Sequence, residues 1–528
     1  MIYTPEVTEI DVPLMNLADF ILAQAGDARS GNLAVVDAVS GEELTYGDLD
    51  DLSARAAAGL SAAGVRPGDV VALIAHNQPL FVVAVYAILR VGAVVSPMNP
   101  VLTDEEIRKQ LRTAQAKVVI HGLDSTRLPR LTVNTSVEVA FSLGHTQTDA
   151  AFRTLFAHDR LTAYQPRSPR EIAALPFSSG TTGAGKGVML SHGNLIANLV
   201  QLHNVWPLTD GDVVCAVLPL FHIYGFSVIM NLALRAGATM ITMPRFDLDS
   251  YLRVIQDKGV TFGHLAPPIV LALANSPAVD QYDLSSMKRA ISAAAPLDES
   301  LANRVQERTG VVIRQAYGMT EASPGTHSVA FRDYDATPPG AVGRLLPATE
   351  ARIIDPRTGA DAAPGEPGEL WVRGPQVMLG YLDLLEATSA TLVDGWLRSG
   401  DILQCREGNF YVVDRLKELI KYKGYQVAPA ELEAVVLCHP AVIDAAVIGI
   451  PDPEAGELPV AYVVADVNAG PRPDAASVMA FVAERVAPYK KLRDVVFVDQ
   501  IPKSASGKIL RRFLKDEAIK VHSSTAAH

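Results

Sequence analysis

Ten residues, Ser178 to Gly187, read Ser-Ser-Gly-Thr-Thr-Gly-Ala-Gly-Lys-Gly. Glycines give such a loop access to positive φ and let backbone N–H groups come close to an anion. Ser178, Ser179, Thr181 and Thr182 add hydroxyl donors, and Lys186 adds a movable positive charge. The composition suits a polyphosphate cradle built from Ser178, Ser179, Gly180, Thr181, Thr182, Gly183 and Lys186. Two other readings stand beside it. Gly180 to Lys186 fits the spacing of a Walker A loop, but that loop needs Ser or Thr after the lysine and a helix immediately beyond. Here Gly187 follows, and then Val-Met-Leu. An ordinary surface turn is the other alternative, and a turn has no need of this many donors beside a lysine.

The loop must be held by its neighbours. Ala173 to Phe177 is apolar and strand-like, Val188 to Leu190 reads as a second strand, and Ser191 caps a helix through Asn194–Val200. Upstream, helical and strand patterns alternate: Tyr46 to Ala63, Asp69 to Ala75, Pro79 to Val91, Ala93 to Pro97 and Lys117 to His121. The middle continues with Val213 to Pro219, Ser227 to Leu234, Thr239 to Met243, Ser250 to Lys258 and Thr261 to Leu265. Strands alternating with crossover helices predict doubly wound parallel sheets. After about Pro338 the character changes. Glu369 to Arg373 and Phe410 to Val413 read as short antiparallel strands. Arg415, Lys417, Lys421 and Lys423 crowd one short segment, and a compact α+β pattern follows it. The predicted fold is α/β, with a large N-terminal domain of doubly wound sheets and a small β-barrel-like subdomain (residues 1–415). A small mobile α+β C-terminal domain (416–528) follows.

With 528 residues, more than one core is required. The formal net charge of −12 argues against a general nucleic-acid binder and means that an anionic substrate must meet locally placed cations. Cys215, Cys405 and Cys438 are far apart and lack C-x-x-C spacing, which predicts neither a disulfide framework nor a zinc site and agrees with a cytoplasmic protein. Met1 to Asn16 has no basic, apolar signal pattern, and Leu80 to Leu89 is too short to span a bilayer and reads as a buried helix. Nothing in the chain calls for a nucleic acid, a transmembrane segment or an obligate protein partner.

Several further segments resemble the adenylate-forming superfamily of acyl-CoA synthetases, luciferases and nonribosomal-peptide adenylation domains. They are Tyr317-Gly318-Met319-Thr320-Glu321, Gly368 to Gly374 (GELWVRG), Ser399-Gly400-Asp401, Asp414-Arg415 and Pro502 to Lys508 (PKSASGK). Within that superfamily the chain is most similar to 4-coumarate:CoA ligases. The matching words include Phe221-His222-Ile223-Tyr224, Pro267 to Ala272, Tyr282 to Ser286, Ala294 to Leu297 and Asp414 to Glu433. The resemblance implies two steps. A carboxylate attacks the α-phosphorus of ATP, giving acyl-adenylate and pyrophosphate; coenzyme A then displaces AMP.

It also implies residue roles. Lys186 and the loop hydroxyls hold the β- and γ-phosphates, Glu321 ligates Mg2+, and Thr320 bonds the α-phosphate, with Gln315, Ala316, Tyr317 and Gly318 lining the nucleotide site. Asp401 and Arg415 take the ribose, Lys417 is the hinge, and Lys421 and Gln426 are nucleotide-side contacts. Arg245, Lys423 and Gly424 meet coenzyme A. Composition alone reads Lys508 as an exposed lysine in a basic tail with Lys503, Arg511 and Arg512; the resemblance makes it the adenylation lysine. Likewise Lys417, Lys421 and Lys423 read on spacing alone as a solvated helix face and turn, and His222 as a packed core histidine; the resemblance sets His222 beside the substrate carboxylate.

The matching acid-pocket positions are His222, Tyr224, Val228, Ile291, Ala293, Ala316, Gly318, Pro324 and Gly325. Plant 4-coumarate ligases carry Asn then Ser where this chain has Ser227 and Val228, and Lys where it has Ile291. Ile291 cannot hydrogen-bond a phenolic hydroxyl, so the pocket is predicted not to select 4-hydroxylated rings. An aryl- or phenylpropenoyl-CoA ligase leads. A fatty-acyl-CoA synthetase, an acyl-AMP ligase serving a carrier protein, and a non-catalytic binding relative are the alternatives. Lys186, Glu321 and Lys508 are all present, against the last of these.

Overall fold

The structure is a computed structural model. It describes residues 1–23, 29–144, 150–166, 168–178, 185–423, 425–452, 454–466, 473–504 and 507–525. Ser179, Gly180, Thr181, Thr182 and Gly183 of the predicted cradle, and Gly424, lie outside the described residues, as does the side chain of Gln426.

Two compact units emerge: residues 2–351 with 372–397, and residue 1 with 352–371 and 398–528. The first holds two nine-stranded sheets. One runs in spatial order Arg344–Leu345, Gly325–Ser328, Val312–Gly318, Arg289–Ser292, Phe262–Leu265, Val213–Ala216, Thr239–Thr242, Leu33–Asp37, Glu43–Thr45. The pairs from Val312–Gly318 through Leu33–Asp37 are parallel, and those beyond them at either end are antiparallel. In the other, Val70–Ile74 pairs in parallel with both Val94–Met98 and Val118–His121. The antiparallel strand Lys186–Ser191 lies near the far edge, between Gly380–Tyr381 and Ile172–Ala174. Strands covered on both faces read as continuous apolar runs, which is why Val-Val-Ala-Leu-Ile and Val-Val-Ile-His were legible as strands.

Local chemistry starts the helices. Thr45 and Ser191 close capping boxes with Asp48 and Asn194, opening the helices Tyr46–Ala62 and His192–Val205. Pro79 opens Pro79–Arg90, and all twelve of its residues are buried. The Ser227 to Leu234 pattern resolves differently: Tyr224–Asn231 is a π-helix, continued by the α-helix Leu232–Ala236. The Leu232 N–H bonds the carbonyl of Ser227, five residues back.

A five-stranded sheet contains Glu350–Ile354, Gly368–Arg373, Trp396–Arg406, Leu392–Val393 and Asn409–Arg415. In the second unit, a further sheet runs Tyr425–Val427, Ile420–Tyr422, Gly456–Ala465, Val442–Asp452, with Asp494–Phe497 on Gly456–Ala465. Alternation along Val442–Asp452 divides its neighbours. Ala445 and Val447 pack with Leu432, Val436, Val478 and Val482 of the helices Pro429–Leu437 and Ala475–Ala483. Ala446 and Ile448 pack with Leu514 and Ala518 of the helix Arg511–Thr525. That last helix was not foreseen.

Candidate active site

In the larger unit, the strands Phe177–Ser178 and Lys186–Ser191 pair antiparallel, with Ser178 opposite Lys186 and Phe177 opposite Gly187. Lys186 is thus the first strand residue and has a fixed base. Its Nζ lies 4.4 Å from the centre of the Tyr381 ring, and the Tyr381 hydroxyl donates to Glu321 Oε1 at 2.9 Å. Tyr381 is held beside Lys186 by the sheet, where Val188 pairs with Tyr381 and Met189 with Gly380. Burial raises the Tyr381 phenol well above its ordinary value, and the Glu321 charge raises it further, so the hydroxyl stays a donor.

Glu321 sits in a single 3-10 turn, Thr320–Ala322, directly after the strand Val312–Gly318. The Met378 N–H bonds its carbonyl at 2.8 Å, and Ser323 Oγ donates to the Gln376 carbonyl at 2.8 Å. Ser323 takes a left-handed φ of 69°, and the Ser323–Pro324 peptide is cis. Gly318 is required by close approach: a Cβ there would stand 2.2 Å from the Pro324 carbonyl oxygen. Gly325 bonds Asn198 through both its N–H and its carbonyl, each at 3.0 Å. Gln315 is buried, and its amide is engaged by the Leu297 N–H and the Leu297 and Pro339 carbonyls, which fixes the segment before Asp298. Ala316 and Tyr317 pair with Ser328 and His327.

On the acid side, His222 is half-buried and its Nδ1 accepts from the Tyr224 N–H at 3.3 Å. Tyr224 and Val228 are buried in the π-helix. Ile291 is fully buried beside His264, its parallel-strand neighbour, and the Tyr224 hydroxyl lies 3.3 Å from His264 Nδ1. Burial lowers His264 to about 3, so its ring is neutral. Ala293 is half-buried, and its N–H bonds the Leu265 carbonyl. Arg245 is exposed; burial lowers the pKa of His76, and the charge of Arg245 lowers it further.

In the smaller unit, Asp401 and Arg415 are register partners, with Arg415 Nε 3.4 Å from Asp401 Oδ1. Ser399 Oγ accepts from the Asp401 N–H at 3.0 Å. Lys417 is exposed in the turn after Arg415. Lys421 and Gln426 are opposite one another in a two-stranded hairpin, and Lys423 sits at its turn with φ 47°. Lys417 in a turn and Lys421 and Lys423 in a hairpin therefore do not form one helix face. Lys508 is half-buried in a closed loop: the Ser504 N–H bonds its carbonyl at 2.8 Å, and its N–H bonds Ser504 Oγ at 3.1 Å. Lys503 and Arg511 are not an exposed tail. Lys503 pairs with Asp444 at 2.7 Å, and Arg511, largely buried, pairs with Glu433 at 2.7 Å and with Glu418.

Sequence reasoning missed Tyr381. A Gly-Tyr dipeptide carries no chemical signal of its own, and only the strand pairing puts it between a lysine and a glutamate.

A single carboxylate with one oxygen anchored by a phenol that also meets a lysine suits a divalent cation that arrives on phosphates. Among the described residues, no three His, Cys, Asp or Glu side chains gather to hold a metal by themselves. No helix among them is long and apolar enough to cross a membrane.

The AMP-binding enzyme family matches residues 22–382, and the AMP-binding enzyme C-terminal domain matches residues 431–508. The chain belongs to that family, the adenylate-forming superfamily; it is an enzyme, a ligase of the acid–thiol class. Within the superfamily it stands close to the 4-coumarate–CoA ligases. It is 41% identical over 526 residues to 4-coumarate–CoA ligase 5 of Oryza sativa subsp. japonica, covering 97% of each chain. Among solved structures it is similar to ATP-bound MatB from Rhodopseudomonas palustris, with TM-score 0.87, 30% identity and coverage of 95% of this chain and 98% of that one. It is also similar to the anthranilate CoA ligase AuaEII in complex with anthranoyl-AMP, with TM-score 0.88, 27% identity and coverage of 96% and 98%.

Proposed function

We propose that this enzyme is an ATP-dependent acid–CoA ligase. It activates a phenylpropenoic acid, cinnamate- or 4-coumarate-like, as an acyl-adenylate, then passes the acyl group to coenzyme A with release of AMP and pyrophosphate. The observation that carries the reading is the Lys186–Tyr381–Glu321 arrangement, a cation and a carboxylate joined through one phenol.

In the first step, a carboxylate oxygen of the acid attacks the α-phosphorus, the bond to the bridging oxygen breaks, and pyrophosphate leaves with the electron pair. Both partners are anions, so charge must be neutralised along the phosphates. In this reading, Lys186 and the hydroxyls of Ser178, Ser179, Thr181 and Thr182 hold the β- and γ-phosphates, Thr320 holds the α-phosphate, and Lys508 meets the charge growing between carboxylate and phosphorus. Asp401 and Arg415 hold the ribose, and His222 orients the acid. Glu321 is the residue that would hold Mg2+, which supplies further charge neutralisation when bound.

In the second step, the thiolate of coenzyme A attacks the acyl carbon and AMP leaves. Arg245, Lys423 and Gly424 are assigned to coenzyme A, and Lys421 and Gln426 to the nucleotide. Lys417 is assigned as the hinge of a mobile C-terminal domain, residues 416–528, with residues 1–415 as the domain for ATP and acid. We place the enzyme in the cytoplasm, in keeping with three widely spaced cysteines, Cys215, Cys405 and Cys438, that form no C-x-x-C motif.

The choice of acid follows from Val228 and Ile291. Both are apolar and buried, and neither can pair a ring hydroxyl. A panel of cinnamate, 4-coumarate, benzoate and C6–C12 fatty acids, scored as kcat/KM with ATP and coenzyme A, tests this. Cinnamate and 4-coumarate should fall close together. A preference for 4-coumarate above about a hundredfold would refute the role given to Ile291, and a preference for the fatty acids would remove the phenylpropenoic reading.

A further inference from the structure

The loop bearing Lys508 is clamped at both ends onto the strand Val442–Asp452. At its start, Lys503 Nζ meets Asp444 Oδ2 at 2.7 Å. At its end, Arg511 Nε donates to the Val447 carbonyl at 3.2 Å. Between these points the loop closes on itself, with the Leu510 N–H on the Pro502 carbonyl at 2.8 Å and a bridge between Lys503 and Ile509.

Arg511 also reaches beyond the loop. One terminal nitrogen forks onto both oxygens of Glu433, each at 2.7 Å, and the other bonds Glu418, the residue after Lys417. The side chains of Arg511, Glu433 and Glu418 are 13%, 10% and 16% exposed. Glu433 is itself anchored by the Val447 N–H at 2.7 Å. A guanidinium this buried costs a large desolvation that only well-formed pairs offset, and its planar fork fixes direction where an ammonium would not. Such a network is stiff, and stiffness is what a reacting side chain requires of its support.

We propose that Arg511, with Lys503, is a positioning residue for Lys508: it makes the Lys508 loop, the helix Pro429–Leu437 and the segment after Lys417 one rigid piece, so that Lys508 is delivered in a fixed pose for adenylation. The inference rests on the ligase reading, which gives Arg511 and Lys503 no role.

The test uses the full-length enzyme and separates the two half-reactions. Acid-dependent ATP–pyrophosphate exchange reads the first, and thioester formation from supplied cinnamoyl-adenylate and coenzyme A reads the second. Arg511→Lys and Lys503→Gln should each lower kcat of exchange, by up to about 10²-fold for Arg511→Lys, with KM for ATP and for the acid within about twofold of wild type. The second half-reaction should keep nearly its full rate. Adding Arg511→Lys to Lys508→Ala should cost nothing more, because the two act through one group. Equal losses in both half-reactions, additive losses in the Lys508→Ala background, or unchanged exchange would overturn the proposal. If Arg511→Lys yields no folded protein, Lys503→Gln, at a partly exposed site, decides by the same readout. A wild type without acid-dependent exchange would remove the ligase reading and this inference together; an active wild type with equal losses removes this inference alone.

Discussion

Replacing Tyr381 by Phe isolates the contact that gathers the phosphate-side residues. The hydroxyl donates to Glu321 Oε1 at 2.9 Å, a bond to a carboxylate. Such bonds contribute about 1.5–3 kcal/mol. If that free energy holds Glu321 in its working pose, kcat/KM for ATP should fall by about 10–150-fold, at 1.36 kcal/mol for each factor of ten. The ring remains, and with it the Lys186 ammonium 4.4 Å from its centre. Tyr381→Leu removes that contact too and should lose a further factor of about 2–30, from the ~0.5–2 kcal/mol of a cation–π pair. The assay is acid-dependent ATP–pyrophosphate exchange, measured across a magnesium titration, with thermal melting as the control for folding. Tyr381→Phe should need more magnesium for half-maximal exchange, and its melting temperature should stay within about 5 °C of wild type, because water can replace the phenol at the half-buried Glu321. Wild-type exchange and an unshifted magnesium requirement in Tyr381→Phe would show that Glu321 is placed without Tyr381.

Two further perturbations follow from geometry and charge. Gly318→Ala puts a Cβ 2.2 Å from the Pro324 carbonyl oxygen and must displace the turn carrying Glu321; exchange should drop by about 5–150-fold, corresponding to the ~1–3 kcal/mol typical of overpacking, and wild-type exchange would contradict the placement. Asp414 is buried in the smaller unit; desolvation lifts its pKa from 3.8 to about 6, while bonds from the Ala430 and Arg415 N–H groups and the charge of Arg511 act in the opposite direction. Because the folded pKa is the raised one, this group's stabilisation is full below pH 3.8 and is lost as pH rises to about 6, by ~3 kcal/mol at most. Denaturant unfolding of Asp414→Asn should therefore lose a downward slope between pH 4 and 6 that wild type shows, and an equal slope in both proteins would refute the assignment.

Much of the fold could be read from the chain because local chemistry and tertiary structure agree there. Thr45 and Ser191 carry their capping partners three residues on, and Pro79 begins a helix apolar on every side. Three features were hidden for physical reasons. Lys417 and Lys421 have the i, i+4 spacing of a helix face, yet Lys421 lies in a hairpin fixed by its pairing with Gln426. The π-helix at Tyr224 differs from an α-helix only in which carbonyl each N–H finds, and composition does not record that. Tyr381 and Arg511 depend on partners at Glu321, Glu433 and Glu418, all far away in sequence. Of the opening loop, Lys186 proved to be the first residue of a strand, which supplies a fixed base for its charge.

The proposed function requires this one chain both to adenylate an acid and to transfer it to coenzyme A. Incubating the purified enzyme with cinnamate, ATP and magnesium, with and without coenzyme A, and separating the products by mass tests it most directly. Cinnamoyl-adenylate and pyrophosphate are expected without the thiol, and cinnamoyl-CoA with equimolar AMP when the thiol is present. Adenylate that accumulates with no thioester despite coenzyme A, or ADP in place of AMP, would contradict it.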